Sequence, residues 1–361
     1  MIETINLREW GLDDFIVKQI SQSEIPNLGR IVTEGNKIYK IITEEGLITG
    51  EVSGKAIYDA SGTDDFPAVG DWVLLDRVDA QSGNAIILKV LQRKSKLSRK
   101  VAGKRFDEQI IATNIDTIFI TMSVNNDFNI RRLERYLTIV WDSMAVPVIL
   151  LTKVDLCQNI DSKMLEIEAA SPGVDILTTS AVTGEGIQQI TTYLGPGKTV
   201  AFVGSSGVGK SSIINYLKGE KIMAVKDLRN DDKGRHTTTH RQLVPMSSGG
   251  VIIDTPGMRE IQIMDVDTSL DKTFTDVETL AKNCKFNNCQ HQSEPGCAIR
   301  EALEDGTLDR GRWDNYIKMK KEIEYFIRKT DKKAESEYWN KIKKRSKLIK
   351  EINSSTKRRS D

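Results

Sequence analysis

One octapeptide constrains the fold of this chain more than any other feature. Gly204-Ser205-Ser206-Gly207-Val208-Gly209-Lys210-Ser211 fits G-x-x-x-x-G-K-[ST] in full. It lies between an apolar run, Val200–Val203, and a helical stretch that opens with Ser212 and runs to Leu217. Strand, glycine-rich loop and helix in that order are the context the pattern requires. The glycines let the backbone curl until successive N–H groups point inward at phosphate oxygens. The helix start adds partial positive charge. Lys210 brings an ammonium to the β/γ-phosphates of a nucleotide, and Ser211 brings a hydroxyl to Mg²⁺.

A loop of this kind needs a parallel sheet behind it, and the flanking sequence supplies one. Apolar runs alternate with amphipathic stretches: Thr117–Met122, Ile130–Trp141, Val146–Leu151, Leu165–Ala170, Ile176–Thr179, Ile187–Leu194, Thr199–Val203, a helix from Lys210, and Val251–Asp254. This is the alternation of an α/β domain with a mostly parallel sheet. Upstream the texture differs. Five short β-type runs lie between Gly29 and Val90, separated by glycine-bearing turns, as in a small closed barrel. The strand count fits an OB-type fold, with an SH3-like barrel as the alternative. Downstream of about Asp267 the chain reads as helical, and Trp313, Tyr316, Ile317, Ile323 and Ile327 recur at core-stripe spacing.

The 361 residues suit two or three domains. Expected boundaries are 1–95 for a lead-in and barrel, 96–108 for a basic linker, 109–266 for the α/β domain, and 267–361 for a helical domain with a basic tail. The formal net charge of +1 implies no partner, but its distribution does. Residues 93–105 hold seven basic groups and no acid, and residues 341–360 hold nine against one Glu. Each reads as a solvated or RNA-facing segment. No apolar run reaches the ~18 residues of a membrane span, and Met1–Ile5 does not open a secretory signal. A cytoplasmic location is therefore expected.

Base selectivity must come from outside the phosphate loop. Val146–Leu151 ends in Thr152-Lys153-Val154-Asp155. A carboxylate here can accept from both N1–H and the N2 amine of guanine, donors that adenine lacks. The Lys153 stem can lie along the base, and Ser180-Ala181 can close its other side. Asp254-Thr255-Pro256-Gly257 follows a strand; Asp254 would hold Mg²⁺ through water, and the Gly257 N–H would meet the γ-phosphate. Thr237, Thr238 and Thr239 lie between, offering a hydroxyl to the metal, with Thr238 and Thr239 the two expected ligands. These segments resemble the G4, G5, G3 and G2 elements of GTPases. Each is weak alone and strong beside a full phosphate loop. GTPases run G1 to G5 in order, whereas this chain runs G4-G5-G1-G2-G3, a circular permutation. The switch after Asp254 then adjoins the C-terminal domain and is placed to pull on it.

Cys284-x₄-Cys289-x-His291-x₅-Cys297 collects three thiols and an imidazole within 14 residues. Four soft N/S ligands favour a closed, structural Zn²⁺ site. The other cysteine, Cys157, reads as a packed thiol.

Barrel, permuted GTPase order, Gly-Arg-His-Thr-Thr-Thr at 234–239 and C-x₄-C-x-H-x₅-C together resemble the bacterial ribosome small subunit-dependent GTPase A (RsgA) family over nearly the whole chain. The resemblance implies a multidomain α/β protein: an N-terminal OB-type β-barrel, a circularly permuted P-loop GTPase domain and a C-terminal helical zinc-binding domain. It implies GTP/GDP, Mg²⁺ and one Zn²⁺ as ligands. It also implies binding to the 30S ribosomal subunit late in maturation, with rRNA stimulating hydrolysis. A monomer with no membrane contact is expected. Two positions depart from GTPases in general. Thr152 stands where many have Asn, so weaker nucleotide binding is expected. Met258 stands where a water-orienting Gln is common and cannot do that work, which leaves His236, with Lys210, as the catalytic candidates. The rival readings are an RNA-binding assembly scaffold with vestigial nucleotide binding, and a P-loop ATPase in which Asp155 is incidental.

Overall fold

The computed structural model describes residues 4–35, 38–60, 62–79, 83–100, 108–125, 127–219, 241–254 and 267–330. The lead-in carries a short helix, α1 (Asp14–Val17), whose first turn is capped by the Asp13 carboxylate accepting from the Ile16 N–H. Five strands follow: β1 (Leu28–Glu34), β2 (Ile38–Thr43), β3 (Gly46–Val52), β4 (Trp72–Leu75) and β5 (Ala85–Val90). They run β1-β2-β3-β5-β4, and β4 returns to pair with β1. Only β3 and β5 are parallel. Helix α2 (Gly54–Asp59) lies between the third and fourth strands. This closed circuit is the OB-type arrangement, and it decides a choice that strand counting left open. Its interior is filled by Ile31, Tyr39, Ile41, Ile48, Val73, Leu75, Ala85 and Ile87.

The expected basic linker at 96–108 is corrected by the pairing. Lys96–Lys100 is a strand, β6, antiparallel to β7 (Glu108–Thr113), and Leu97 is fully buried. Residues 101–107 lie outside the described residues. The nearby charge is structural as well. Arg93 pairs with buried Asp71 at 2.7 Å, and Lys94 bridges Asp13 and Asp116 at 2.6 and 2.8 Å. Arg30, also buried, donates to the carbonyls of Trp10, Gly70 and Asn114. These groups bind lead-in, barrel and α/β domain together. The sequence pattern missed this because alternating Lys and Ser look like solvent-facing residues.

The α/β domain comprises β8 (Thr117–Ser123), α3 (Ile130–Asp142), β9 (Val146–Thr152), α4 (Ile160–Ala170), β10 (Asp175–Thr179), α5 (Ile187–Ile190), β11 (Thr199–Val203), α6 (Lys210–Lys218), β12 (Gln242–Pro245) and β13 (Val251–Asp254). Spatial order is β10-β9-β8-β11-β13-β12. All neighbours are parallel except β12 with β13. Three strands on one side of β11 thus precede it in sequence, which is the permutation in structural form. Side chains alternate between two cores. Ile118, Ile120, Ala201 and Val203 face α3 and the C-terminal helices, while Phe119, Val200 and Phe202 face α5 and α6. Among the described residues, the pair Thr33 with Gln242 joins β1 to β12 and makes the barrel continuous with this sheet.

The C-terminal helices are α7 (Asp267–Thr273), α8 (Thr275–Lys282), α9 (Ala298–Glu304) and α10 (Arg310–Thr330). Tyr316 and Ile323 of the expected stripe are buried, with Trp313, Ile317 and Ile327 packed on the same core. That core also contains Leu133, Tyr136 and Leu137 of α3, so these helices do not form a separate globule. Among the described residues, no helix is long and apolar enough to cross a membrane.

Candidate nucleotide site and metal centre

Open parallel sheets bind ligands at the carboxyl ends of their strands. Here those ends bring together the phosphate loop, Thr152, Ser180 and Asp254. Gly204 leaves β11 with φ 140°, and a Cβ there would stand 2.2 Å from the Thr121 carbonyl on β8. Only glycine lets the loop start so close to its neighbour strand. Val208 is buried beneath the loop, and Gly209, at φ 106°, leads into α6. The Lys210 Nζ donates to the carbonyls of Gly204 (2.7 Å) and Ser205 (2.6 Å). Burial pulls its pKa down to about 8, against the carboxylates of Asp254 and Asp127, which raise it. Asp254 is itself pushed up by burial and pulled down by Lys210, so the two groups share one site. Ser211 and Ser212 form the first turn of α6 behind the lysine.

This cradle has a consequence for pH. Phosphate binding requires the ammonium form, and a bound triphosphate raises the lysine's pKa. Above about pH 8 binding must therefore take up a proton. The dissociation constant for GTP is expected to be level up to about pH 8 and then to rise, approaching roughly tenfold per pH unit. Titrations from about pH 7 to about pH 9 check it, and a flat profile contradicts it.

The segment expected to read the base abuts the loop. Thr152, buried at the end of β9, donates its hydroxyl to the Val208 carbonyl at 2.5 Å. Threonine thus makes one local tie to the phosphate loop through its hydroxyl. Lys153 adopts a left-handed φ of 59° and donates from Nζ to the Gly207 carbonyl at 2.8 Å. Val154 and Asp155 follow in a 3₁₀ turn that leaves Asp155 exposed. On the other side, the Ser180 hydroxyl accepts from the N–H groups of Val182 and Thr183, shaping the loop that carries Ala181. Gly184 (φ 80°) packs this loop against the Tyr216 hydroxyl of α6.

Asp127 was not singled out from sequence. Arg132 of α3 holds it at 2.8 Å, and its charge reaches Lys210. A polar run, Asn125 to Asp127, just past the end of a fully buried strand is the available signal. His236, Thr237, Thr238, Thr239 and Gly257 lie outside the described residues.

The four metal-ligand candidates converge. One donor atom from each of Cys284, Cys289, His291 and Cys297 lies within 4.8 Å of all the others. His291 Nδ1 is 3.5 Å from Cys284 Sγ and 3.4 Å from Cys297 Sγ, and those two sulfurs are 4.0 Å apart. Tetrahedral bonds of ~2.3 Å to sulfur and ~2.0 Å to nitrogen give edges of roughly 3.5–3.8 Å. The donor set therefore fits Zn²⁺. Burial lowers the His291 pKa, favouring the neutral imidazole a metal needs. The ring packs edge-on to Trp313 of α10.

A sheet in GTPase order, entered at its fourth motif and fused to an OB-type barrel and a Cys₃His helical module, defines a circularly permuted P-loop GTPase. The RsgA GTPase family model matches residues 90–264. The chain is 49% identical over 323 residues to "Small ribosomal subunit biogenesis GTPase RsgA 2" of Lactiplantibacillus plantarum, covering 89% of this chain and 90% of the relative. It is 43% identical to "Small ribosomal subunit biogenesis GTPase RsgA 1" of Oceanobacillus iheyensis, covering 94% and 97%. Two solved structures share the fold. YjeQ from Thermotoga maritima has TM-score 0.61 and 28% identity, over 82% of this chain and 98% of that one. YloQ, titled a circularly permuted GTPase, has TM-score 0.56 and 25% identity, over 82% and 94%. This chain belongs to the RsgA GTPase family.

Proposed function

We propose that the chain hydrolyses GTP and assists late maturation of the 30S ribosomal subunit, which it binds as a cytoplasmic monomer, with rRNA stimulating hydrolysis and hydrolysis driving release. The observation that carries the GTPase part is the contact of Thr152 and Lys153 with the carbonyls of Val208 and Gly207. It joins a base-reading segment to a phosphate-binding segment 54 to 56 residues later in the chain. The relatives' names carry the ribosomal part. In this reading Asp155 accepts from guanine, the loop amides and Lys210 bind the β/γ-phosphates, and Ser211, Asp254 and Thr238 or Thr239 hold Mg²⁺. Mg²⁺, when bound, neutralises charge on the β/γ oxygens. His236 orients the attacking water in place of Met258. Zn²⁺ at Cys284, Cys289, His291 and Cys297 shapes the surface that meets RNA.

A half-buried, partly desolvated Lys210 sharing its site with Asp254 supports an active phosphate loop over a vestigial one. Single-turnover GTP hydrolysis with and without purified small subunits tests the proposal. Stimulation of at least about tenfold is expected, because a water-orienting group supplied late makes intrinsic turnover slow. Equal rates would remove the ribosomal part. Equal competition by ATP would remove the guanine assignment.

A further inference from the structure

The metal loop contains a carboxylate that is not a ligand. Glu294 Oε1 accepts from the N–H of Gln290 at 2.9 Å, and Oε2 accepts from the N–H groups of Gln292 and Ser293 at 3.0 Å each. These three donors flank His291, whose φ of 58° is in the left-handed region that a non-glycine residue rarely adopts. Gln290, Gln292 and Ser293 are all exposed, so water competes for their N–H groups. A charged acceptor outcompetes it, since charge-assisted hydrogen bonds are about twice as strong as neutral ones. The bond from Gln290 first, then that from the N–H of Glu294 itself, with those from Gln292 and Ser293, hold the Glu294 carboxyl down at about 2.

We propose that Glu294 is the positioning residue of the metal site: its carboxylate gathers the backbone of residues 290–293 into the turn that aims His291 Nδ1 at the three thiols. The assignment rests on the zinc reading above. It gives the histidine its orientation from the backbone side, whereas metal-bound histidines are commonly oriented through their second ring nitrogen. The loop's far side is tied separately, by the Lys285 N–H donating to the Gly296 carbonyl at 3.0 Å. That bond sets the spacing of Cys284 and Cys297 without reaching His291. Glu294 therefore bears on one ligand of the four.

Co²⁺ serves as the probe on the full-length protein, with Zn²⁺ displacing it. The wild type is expected to take up one Co²⁺ with the charge-transfer and ligand-field bands of three thiolates and one imidazole. Glu294→Gln keeps the shape, loses the charge and replaces one acceptor oxygen with a donor. It is expected to weaken metal binding about 10- to 100-fold and to change the ligand-field bands as the imidazole leaves. Glu294→Asp, charged but shorter, is expected to recover part of the affinity. Glu301→Gln removes an exposed charge nearby on α9 and is expected to match the wild type. Retained GTP binding shows that each variant is folded. Glu294→Gln with wild-type affinity and spectrum overturns the assignment. Wild type that binds no Co²⁺ overturns the metal reading itself.

Discussion

Lys210→Ala is expected to lose GTP hydrolysis by at least about 100-fold, with nucleotide affinity falling as well, while the fold persists. The reason lies in where the ammonium sits. It is half-buried and satisfied by the carbonyls of Gly204 and Ser205, with the negative charges of Asp254 and Asp127 close by. No sheet or helix bond depends on it, so removing it leaves the fold bonded as before. A triphosphate entering the loop brings several negative charges to a place where water is scarce. Electrostatic groups aimed at a transferring phosphoryl are worth most in such places, and loss of one donor commonly costs 10²- to 10³-fold in rate, about 2.7–4 kcal/mol. Lys210→Arg is expected to fail nearly as badly, because a planar guanidinium cannot occupy a gap shaped by two carbonyls about 2.7 Å from a point charge. Single-turnover hydrolysis, with zinc content and circular dichroism as checks of folding, is the measurement. Turnover within threefold of wild type in Lys210→Ala would mean that the phosphate loop does not serve the chemistry assigned to it.

Much of this is legible in the sequence alone, and the reason is physical. The phosphate loop is legible because backbone approach to phosphate demands glycines at set positions. Gly204 shows the demand, since any Cβ would collide with the Thr121 carbonyl. The Cys₃His set is legible because all its ligands are local in sequence. The strands Thr199–Val203 and Val251–Asp254 carry the apolar runs Val200–Val203 and Val251–Ile253, buried on both faces, and their bounds match the expectation. What was not legible depends on distant partners. β6 reads as a linker because the strand that completes it, β7, is needed to show which face is inside. β12 is four residues long and ends in Pro245, too short for a period to appear. Glu134 sits on the buried face of α3, where a charge normally argues against burial, and besides Arg131 one turn earlier its partners, Arg312 and Asn315, come 178 and 181 residues later. The SH3-like alternative is excluded by the parallel β3–β5 pairing, which joins strands more than 30 residues apart and has no local signature.

Arg312→Ala is expected to destabilise the chain by about 3–5 kcal/mol, the cost of removing one member of a buried ion pair. Arg312 of α10 donates to Glu134 of α3 at 2.8 Å, to both Asp276 oxygens of α8 at 2.7 and 2.8 Å, and to the carbonyls of Thr273 and Ala170. Its side chain is 7% exposed and that of Glu134 is 0% exposed. Asn315 adds a bond to Glu134 at 2.6 Å, and Arg135 pairs with Glu322 at 2.7 Å. Arg300→Ala, which breaks only an exposed pair with Glu304, should cost less than about 0.5 kcal/mol. Thermal unfolding of the zinc-loaded proteins compares them, and equal melting temperatures would show that the hub does not hold the domains together. The magnitudes also bear on how nucleotide state reaches the metal module. The permuted order puts the switch after Asp254 next to the C-terminal helices, which invites the idea that it swings them. Coupling between sites is typically worth 1–3 kcal/mol. A swing of α7–α10 as a rigid arm must first break the Glu134–Arg312 hub and divide a core shared with Leu133, Tyr136 and Leu137. The described C-terminal helices are thus packed as one unit with α3, and the β8–α3 turn, where Arg132 holds Asp127 and the charge of Asp127 reaches Lys210, links that unit to the phosphate loop.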